Sequence, residues 1–262
     1  MSNPVLEAPA VEQSYSCFDE QAIIRRYLDE LPVRHCFCVD IAAGDGRYAS
    51  NTFSLFQAGW RGVAVEWDGK KFGKLASRYA EFPRAQLART KVTPQAVVPL
   101  LQAVGVPRDF DFLNLDIDSF DYFVLDRVLQ HYRPSLVCAE INEKIPPPVK
   151  FTVTYDAEHV WREDHFYGQS IAQLDELRQR HDYVMVELEY CNAFLIPREI
   201  SPVPHRPVHE LYRDGYLLRA DRLERMPWNK DVEALHDLEP EDAVRFVCNK
   251  FSAYRGKFHC TL

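Results

Sequence analysis

The sequence predicts a doubly wound α/β fold: a mostly parallel sheet with helices on both faces, an antiparallel last strand and a helical C-terminal extension. Short apolar runs alternate with amphipathic segments along residues 18–181, which is the sequence form of repeated βαβ units. Two apolar runs near residue 190 are separated by only two residues, which suits a hairpin. The 262-residue chain, 47% hydrophobic, is long enough for one large α/β domain with an appendage.

The first half of the chain supplies three of the predicted strands. Residues 1–17 read as a flexible arm before a domain that spans residues 18–199. The predicted elements, in order, are a helix at 18–31, a strand ending at Asp40, a helix at 47–58, a strand at 62–68, a helix at 69–80, a weak strand at 85–89 and a helix at 93–105. Thr93 is a candidate N-cap of the last helix, and Pro99 is expected to kink or shorten it.

The second half continues the alternation and closes the sheet. The predicted elements are a strand at 111–116, a helix at 119–132, a strand at 134–142, a helix at 168–181 and a hairpin at 183–189 and 192–199. Residues 143–167 contain three consecutive prolines and are predicted to form one long loop without regular structure. Residues 200–262 are expected to form a helical extension that covers the site or makes a homodimer contact.

Composition and charge restrict the class of protein. There are 31 Lys+Arg against 39 Asp+Glu, a formal charge of −8, and no basic run, which argues against a general nucleic-acid binder. No apolar stretch is long enough to predict a membrane span, and the N-terminus lacks a basic start followed by an apolar core, so we expect a cytoplasmic protein. Seven cysteines without a CxxC pair predict reduced, buried thiols rather than a disulfide frame or a zinc site.

A glycine-containing turn, VDIAAGDGRYA (39–49), joins the first strand to a helix. Gly44 and Gly46 let the backbone turn sharply and approach a ligand closely. Glu66 ends the next strand, where its carboxylate can accept hydrogen bonds from ribose hydroxyls, because open parallel sheets bind ligands beyond the carboxyl ends of their strands. The turn also fits GxGxxA, so NAD stays open as the cofactor. Asp40 would then face the negative pyrophosphate, and a terminal hairpin is unusual in NAD domains.

The segment DIAAGDG (40–46) is similar to the first motif of class I S-adenosylmethionine-dependent methyltransferases, D/E-x-G-x-G-x-G, with Ala42 at the first glycine. More narrowly, the chain resembles FkbM-like bacterial methyltransferases in four segments: GDGRYASNT (44–52), GWRGVAVEWD (59–68), LDIDSFDY (115–122) and EINEKIPP (140–147). The resemblance covers residues 18–199 and implies a Rossmann-like sheet that binds S-adenosylmethionine.

The resemblance also implies roles for single residues. The methionine end of the cofactor would be surrounded by Asp40, Ala42, Gly44 and Gly46. Glu66 would hold the ribose, Trp67 would pack on the adenine, and Asn51 would orient polar groups near the turn.

Acidic side chains follow two neighbouring predicted strands. Asp116 and Asp118 follow the fourth strand, and Glu140 and Asn142 end the fifth. Oxygen ligands gathered from adjacent strand ends suit Mg²⁺, which can hold an acceptor's oxygens and lower the pKa of the one that attacks. Without a metal, Asp116 or Glu140 would act as the general base or bind the acceptor. Asp121 reads as a first-turn helix acid.

The predicted loop 143–167 carries further candidates. His165 has a side chain whose pKa suits proton removal near neutral pH, and His159 is a weaker candidate. The same loop carries four aromatic residues, so we expect it to form a substrate lid: Tyr155, Trp161, Phe166 and Tyr167. We therefore predict an S-adenosylmethionine-dependent methyltransferase acting on an oxygen, or as second choice a nitrogen, of a small molecule or glycan, with or without Mg²⁺. The alternatives are an NAD-dependent oxidoreductase, which here lacks a recognisable Tyr-x-x-x-Lys relay, and a non-catalytic partner protein that keeps the fold.

Overall fold

The computed structural model describes residues 13–262. Its strands are β1 (Phe37–Ile41), β2 (Arg61–Val65), β3 (Ala85–Ala88), β4 (Phe112–Leu115), β5 (Leu136–Glu140), β6 (Lys150–Val153), β7 (Tyr183–Glu189), β8 (Asn192–Pro197) and β9 (Phe258–Thr261). Its α-helices are α1 (Glu20–Glu30), α2 (Phe53–Gln57), α3 (Gly69–Tyr79), α4 (Val97–Ala103), α5 (Asp121–His131), α6 (Ile171–Arg180), α7 (Val208–Tyr212), α8 (Arg222–Arg225) and α9 (Pro240–Lys250).

Seven strands form one sheet in the order β3-β2-β1-β4-β5-β8-β7. Strands β1 to β5 pair in parallel, and β8, the last strand of the sheet along the chain, lies antiparallel between β5 and β7. The predicted Rossmann-like fold with an antiparallel last strand is therefore confirmed. The chain turns outward in opposite directions from β1 and β4, so a crevice opens at their carboxyl ends.

Helices cover both faces of the sheet because strand side chains alternate between two apolar clusters. Phe37, Val39 and Ile41 pack on the face that carries α4 to α7, whereas Cys38 between them packs on the face that carries α1 to α3. The strands of the centre are buried on both sides, which is why they read as continuous apolar runs in the sequence.

Two helices are shorter than predicted. The helix expected at 47–58 is only α2, because residues 45–52 form a closed turn in which Asp45 accepts from the amides of Arg47 and Tyr48. Ser50 Oγ then accepts from the amide of Phe53, so the helix begins after it. The helix expected at 93–105 is α4, which starts late enough that Pro99 occupies its first turn, where an absent N–H costs no helical hydrogen bond.

The prediction of an irregular loop at 143–167 is wrong for part of that segment. Residues of β6 pair antiparallel with β9 near the C-terminus, Phe151 opposite Cys260, in a separate two-stranded sheet. A third apolar cluster lies under this ribbon and includes residues of α9. The helical extension 200–262 thus also contributes a strand, and it packs against the segment that carries the predicted lid.

The remaining expectations concern the termini and thiols. Most of the predicted arm 1–17 lies outside the described residues; Tyr15 accepts a backbone hydrogen bond from Ser50 and its ring packs edge-on against Phe53. All seven cysteines are free, as predicted, but only Cys38 and Cys138 are buried, whereas Cys17, Cys36 and Cys248 are exposed. Cys36 is exposed because it forms the left-handed turn (φ 47°) before β1. None of the helices among residues 13–262 is both long and apolar enough to cross a membrane.

Candidate functional site

The glycine turn after β1 has the sharp bend that the sequence predicts. The amides of Ala42 and Ala43 both donate to the carbonyl of Val65 at 2.9 Å, which ties the turn to the end of β2. Four residues of the turn have positive φ: Ala42 at 74°, Gly44 at 59°, Gly46 at 81° and Ala49 at 54°. Ala42 therefore holds, with a side chain, a conformation that favours glycine.

Replacing Ala42 with glycine is expected to raise the free energy of unfolding by about 0.5–1 kcal/mol, since relief of the left-handed strain exceeds the entropy gained by the unfolded chain. Chemical denaturation measures the change. The control is Ala43→Gly at the next position, whose φ is not positive and whose unfolding free energy should fall by a similar amount. Equal destabilisation by both substitutions would contradict the assignment of strain to Ala42.

The two glycines of the turn do different things. A Cβ added at Gly44 would meet no described atom within 4 Å, so the space above it is open to a ligand. A Cβ at Gly46 would lie 2.5 Å from Leu75 Cδ1 and 3.2 Å from Tyr79 Cε1, so this glycine lets the turn pack on α3. The sequence placed both at the cofactor; the structure gives Gly46 a packing contact instead.

Asp40 lies beneath the turn and is only 1% exposed. Its two oxygens accept from Thr52 Oγ1 at 2.5 Å and from Asn114 Nδ2 at 2.9 Å. Burial raises the pKa of this carboxyl, although both hydrogen bonds oppose the rise. Asn51 donates in turn to Asn114 Oδ1, so both residues brace the turn from inside rather than line an open space. Asn114 is a contributor that the sequence reading missed.

Glu66 closes the turn from the β2 side. One carboxylate oxygen accepts from the amide of Gly44 at 2.9 Å and the other from the amide of Asp68 at 2.7 Å. The side chain is 3% exposed, yet it lines the same open space as Gly44. Because each carboxylate oxygen accepts more than one hydrogen bond, Glu66 retains acceptor capacity for a ligand hydroxyl.

The open space is a cavity of about 580 Å³ at the carboxyl ends of β1, β2 and β4, which we call the cleft. Its walls include Ala42, Gly44, Glu66, Trp67 and Asp116. The Trp67 ring is half exposed, and Lys91 Nζ lies 5.9 Å from its centroid. Asp118 lines the cleft too, so six predicted site residues meet at one cavity.

Three carboxylates gather where β4 and β5 end. One oxygen each from Asp116, Asp118 and Glu140 lies within 4.8 Å of the others, so the predicted acid cluster exists. Oε2 of Glu140 is buried without a hydrogen-bond partner among the described residues. Asp118 has φ 53°, a left-handed conformation that turns the chain between β4 and α5.

Burial and mutual repulsion make these acids hard to ionise. Burial, followed by the charges of Asp118 and Asp121, raises the pKa of Asp116 well above its usual range. Burial and the charge of Asp116 do the same to the pKa of Glu140. For Asp118, burial and Asp121 raise the pKa to about 6, against the opposing charges of Lys71 and Lys144. A bound cation would relieve all three.

Asp121 holds the loop that carries this cluster. It lies in the first turn of α5, as predicted, and it is fully buried. Its oxygens accept from the amides of Ile117 at 2.8 Å and Ser119 at 3.0 Å, which fixes Asp118 between them. Its own role is therefore to position Asp118.

Two predicted residues of the site, Asn142 and His165, do not line the cleft. Asn142 donates to the carbonyls of His165 and Tyr167. It lines a small cavity next to Leu235 that is separate from the cleft. His165 Nε2 lies 2.8 Å from Asp231 Oδ1. Burial, with Lys144 nearby, lowers the pKa of His165, so the ring is neutral near pH 7.

A second cavity of about 500 Å³ adjoins the cleft, and we call it the chamber. The two cavities share Asp118, Trp161 and Glu163, so they meet at the acid cluster. Glu140 and His165 also line the chamber. The chamber thus starts where the cleft ends.

The far walls of the chamber come from residues that the sequence reading did not single out. Met226 and Trp228 arrive from the C-terminal extension. Lys144, 3% exposed, donates to Tyr167 Oη at 2.6 Å and lies 3.0 Å from Glu143 Oε1. Burial alone would raise the pKa of Glu143, but Lys144 and hydrogen bonds to it hold that pKa below its usual range. The only sequence feature that could have indicated this wall is the adjacent opposite charges of Glu143 and Lys144 just before Pro146.

Part of the predicted lid lies across both cavities. Residues 159–161 and Glu163 line the cleft, and Trp161 and Glu163 also line the chamber. Lys91 Nζ donates to the carbonyls of Ala157 at 2.5 Å and His159 at 2.9 Å, which ties the segment to the β3 side of the cleft. Two connected cavities, roofed by one segment and joined at a carboxylate cluster, can hold two reactants in contact away from bulk water.

Comparison with known proteins gives structural likenesses only. No family model matches the chain, and no curated protein matches it. It is similar to the glycopeptide N-methyltransferase MtfA complexed with S-adenosylmethionine, with TM-score 0.40 and 14% identity over 67% of this chain and 85% of that one. It is also similar to the O-methyltransferase TomG from Streptomyces achromogenes, in complex with the same cofactor, with TM-score 0.43 and 17% identity over 68% and 78%. An S-adenosylmethionine-dependent methyltransferase from Clostridium acetobutylicum gives TM-score 0.43 and 11% identity over 71% and 92%.

Proposed function

We propose that this chain is an S-adenosylmethionine-dependent methyltransferase that transfers a methyl group to an oxygen, or as second choice a nitrogen, of a small molecule or glycan. The observation that supports it most is the continuity of the site. Gly44 and Glu66 lie along the cleft, Asp116 and Asp118 lie where it meets the chamber, and the chamber offers a separate space for an acceptor. A two-substrate transfer needs such an arrangement.

The residues of the cleft fit the cofactor. The open space above Gly44 admits a ligand close to the backbone, Glu66 has acceptor capacity for ribose hydroxyls, and the exposed Trp67 ring offers a flat apolar surface for the adenine. The volume lies within the range of small-molecule sites. When bound, the cofactor supplies a methyl group already activated by a sulfonium.

The chain's own residues then have three tasks: to align the acceptor, to exclude water and to take a proton. The segment with Trp161 and Glu163 lines both cavities at their junction, where it would limit the access of water to the reactants. Asp118, whose pKa is about 6, is mostly ionised at neutral pH and can accept the acceptor's proton, a contribution typically worth about 10²–10⁴ in rate. Asp116 and Glu140 lie beside it, and a cation bound to the cluster would keep them ionised as further bases.

Mg²⁺ is the second element of the proposal. Three carboxylate oxygens within 4.8 Å of one another, and the buried Glu140 Oε2 without a partner, suit a hard cation with oxygen ligands. Asp116, Asp118 and Glu140 would hold it, and its charge would stabilise an ionised acceptor oxygen. Asn142, the fourth ligand predicted from the sequence, is not included, because its side chain donates to two backbone carbonyls and lines a different cavity.

We expect Asp116→Ala to weaken Mg²⁺ binding by about 10–100-fold, because one of three anionic ligands is lost. Calorimetric titration of Mg²⁺ into parent and variant, each saturated with S-adenosylhomocysteine, measures this. Asp109→Ala serves as the control, since Asp109 lies on the surface beside Arg34. Equal affinity in parent and Asp116→Ala would remove the metal from the proposal and leave the methyltransferase reading intact.

The experiment that tests the function itself is a thermal-shift comparison of S-adenosylmethionine, S-adenosylhomocysteine and NAD. We expect the first two to raise the melting temperature and NAD to leave it unchanged. Asp40 does not discriminate between these cofactors, because it is buried on Thr52 and Asn114 rather than facing the cleft. The β7–β8 hairpin still favours the methyltransferase. Stabilisation by NAD alone would overturn the proposal.

A further inference from the structure

The chamber and the cleft differ in charge. The cleft is lined by Lys71, Lys74 and Lys91 as well as by acids. The chamber is lined by the acids Asp118, Glu143, Glu163 and Asp164 against the single ammonium group of Lys144, since Glu140 is hard to ionise and the His165 ring is neutral. A ligand in the chamber therefore meets a mainly negative wall, whereas one in the cleft meets both signs.

The positive groups of the chamber are already engaged. Among residues 13–262, Lys144 pairs with Glu143 at 3.0 Å, and no ion pair involves Asp118, Glu140 or Glu163. The Glu140 side chain lines the chamber, the residue is 9% exposed, and its Oε2 has no hydrogen-bond partner in the described structure. A buried, unpartnered carboxylate oxygen is costly unless a ligand supplies a donor or a charge.

Aromatic surface accompanies this negative charge. Trp228 is 58% exposed and Trp161 is partly exposed, and both line the chamber beside Met226. Indole faces attract organic cations, and the attraction is largest when the cation is partly desolvated. Lys144 already uses the remaining ring in this way, with its Nζ 4.3 Å from the Tyr167 centroid. Carboxylates next to free indole faces favour an ammonium group on an apolar body.

We propose that the chamber binds a hydroxylated organic amine, whose ammonium group is held by Glu163 and the indoles while its hydroxyl reaches Asp118, the other acid that lines both cavities. Methylation of that hydroxyl rests on the proposed function, whereas binding of the amine in the chamber does not depend on it. A divalent ion bound to Asp116, Asp118 and Glu140 would neutralise two negative charges of the cluster. The chamber would remain acidic, because Glu143, Glu163 and Asp164 also line it. The preference for an amine holds with or without the metal.

Three probes of the same aromatic body test the charge preference: tyramine, para-ethylphenol and para-hydroxyphenylpropionate. Their affinities for the full chain, saturated with S-adenosylhomocysteine, are measured by ligand-observed NMR. We expect tyramine to bind at least about tenfold more tightly than the anion, with the neutral phenol between them. Binding of the anion or the phenol as tightly as tyramine would overturn the proposal, as would binding of none of the three.

Variants locate the site. Glu163→Gln should weaken tyramine binding by about three- to tenfold and leave para-ethylphenol unchanged, and Trp228→Leu should weaken both. Glu158→Gln is the matched control, because Glu158 is an exposed acid of the same segment that lines neither cavity. Equal loss of tyramine affinity in Glu158→Gln and Glu163→Gln would place the amine elsewhere.

Failure of this proposal is distinguishable from failure of the proposed function. Tyramine is also titrated into the chain without nucleoside, and S-adenosylhomocysteine is titrated alone. If the nucleoside binds and tyramine does not, the amine site is overturned and the methyltransferase stands. If tyramine binds and the nucleoside does not, the chamber is an amine site and the methyltransferase reading is overturned.

Discussion

Gly44→Trp will bind S-adenosylhomocysteine at least about 100-fold more weakly than the parent, a loss of about 2.7 kcal/mol. The open space above this glycine is the position where the cofactor is expected to approach the backbone, and the indole would fill it. The variant keeps the amide that donates to Glu66 Oε2. Isothermal titration calorimetry gives the two affinities.

Backbone strain is the competing explanation, and Gly105→Trp controls for it. Gly105 has φ 73°, close to the 59° of Gly44, and an added Cβ there also meets no atom of the described residues within 4 Å. It follows α4, outside the walls of the cleft. Both variants should lose about 1–2 kcal/mol of unfolding free energy, but only Gly44→Trp should lose affinity. Unchanged affinity in Gly44→Trp would mean that the cofactor does not pass this residue.

Asp118→Asn will stabilise the metal-free protein at neutral pH by about 2 kcal/mol and have little effect near pH 4. The pKa of Asp118 is about 6 in the folded state, above the ordinary 3.8 of the unfolded chain. The contribution of this group to the unfolding free energy is therefore fully present below pH 3.8 and is lost as the pH rises through 6. Asparagine removes the ionisation and tolerates the φ of 53°. Urea unfolding with EDTA from about pH 4 to 7.5 measures the difference.

The matched control is Asp182→Asn. Asp182 has φ 54°, close to that of Asp118, but it is exposed on the surface beside Arg198. Its substitution should change stability by less than about 0.5 kcal/mol at every pH. If Asp118→Asn shows no greater stability than the parent at pH 7.5, the cluster does not repel as the geometry implies. Addition of Mg²⁺ should reduce the difference in unfolding free energy between the parent and Asp118→Asn.

The sheet could be predicted from the sequence because its signals are local. Buried strands read as apolar runs, and the two-residue gap before Asn192 fixes a hairpin. The β6–β9 ribbon could not be predicted, since it pairs Lys150 with Thr261, more than a hundred residues further along the chain. Strand β6 itself has only four residues, which is too short for a recognisable strand pattern. The shortened α2 was missed for a similar reason: the Asp45 and Ser50 side-chain bonds that close the turn compete with a helix only once the turn is folded.

The candidate site was predicted in part. Gly44, Glu66 and Asp116 meet at the cleft because strand ends of a parallel sheet converge on one edge. Asp40 and Gly46 belong to the same motif as Gly44, but sequence spacing does not reveal which of its residues face the ligand. In the structure Asp40 bonds to Thr52 inside the protein, and Gly46 packs on α3. Lys144, Met226 and Trp228 come together only through the packing of the C-terminal extension, which carries no local code.

A crystal structure of the chain with S-adenosylhomocysteine tests the central claim most directly. We predict that the ribose hydroxyls lie within hydrogen-bond distance of Glu66, that the amino-acid end passes over Gly44, and that the sulfur faces Asp116 and the mouth of the chamber. Density for the nucleoside outside the cleft, or a sulfur that points away from the chamber, would contradict the account.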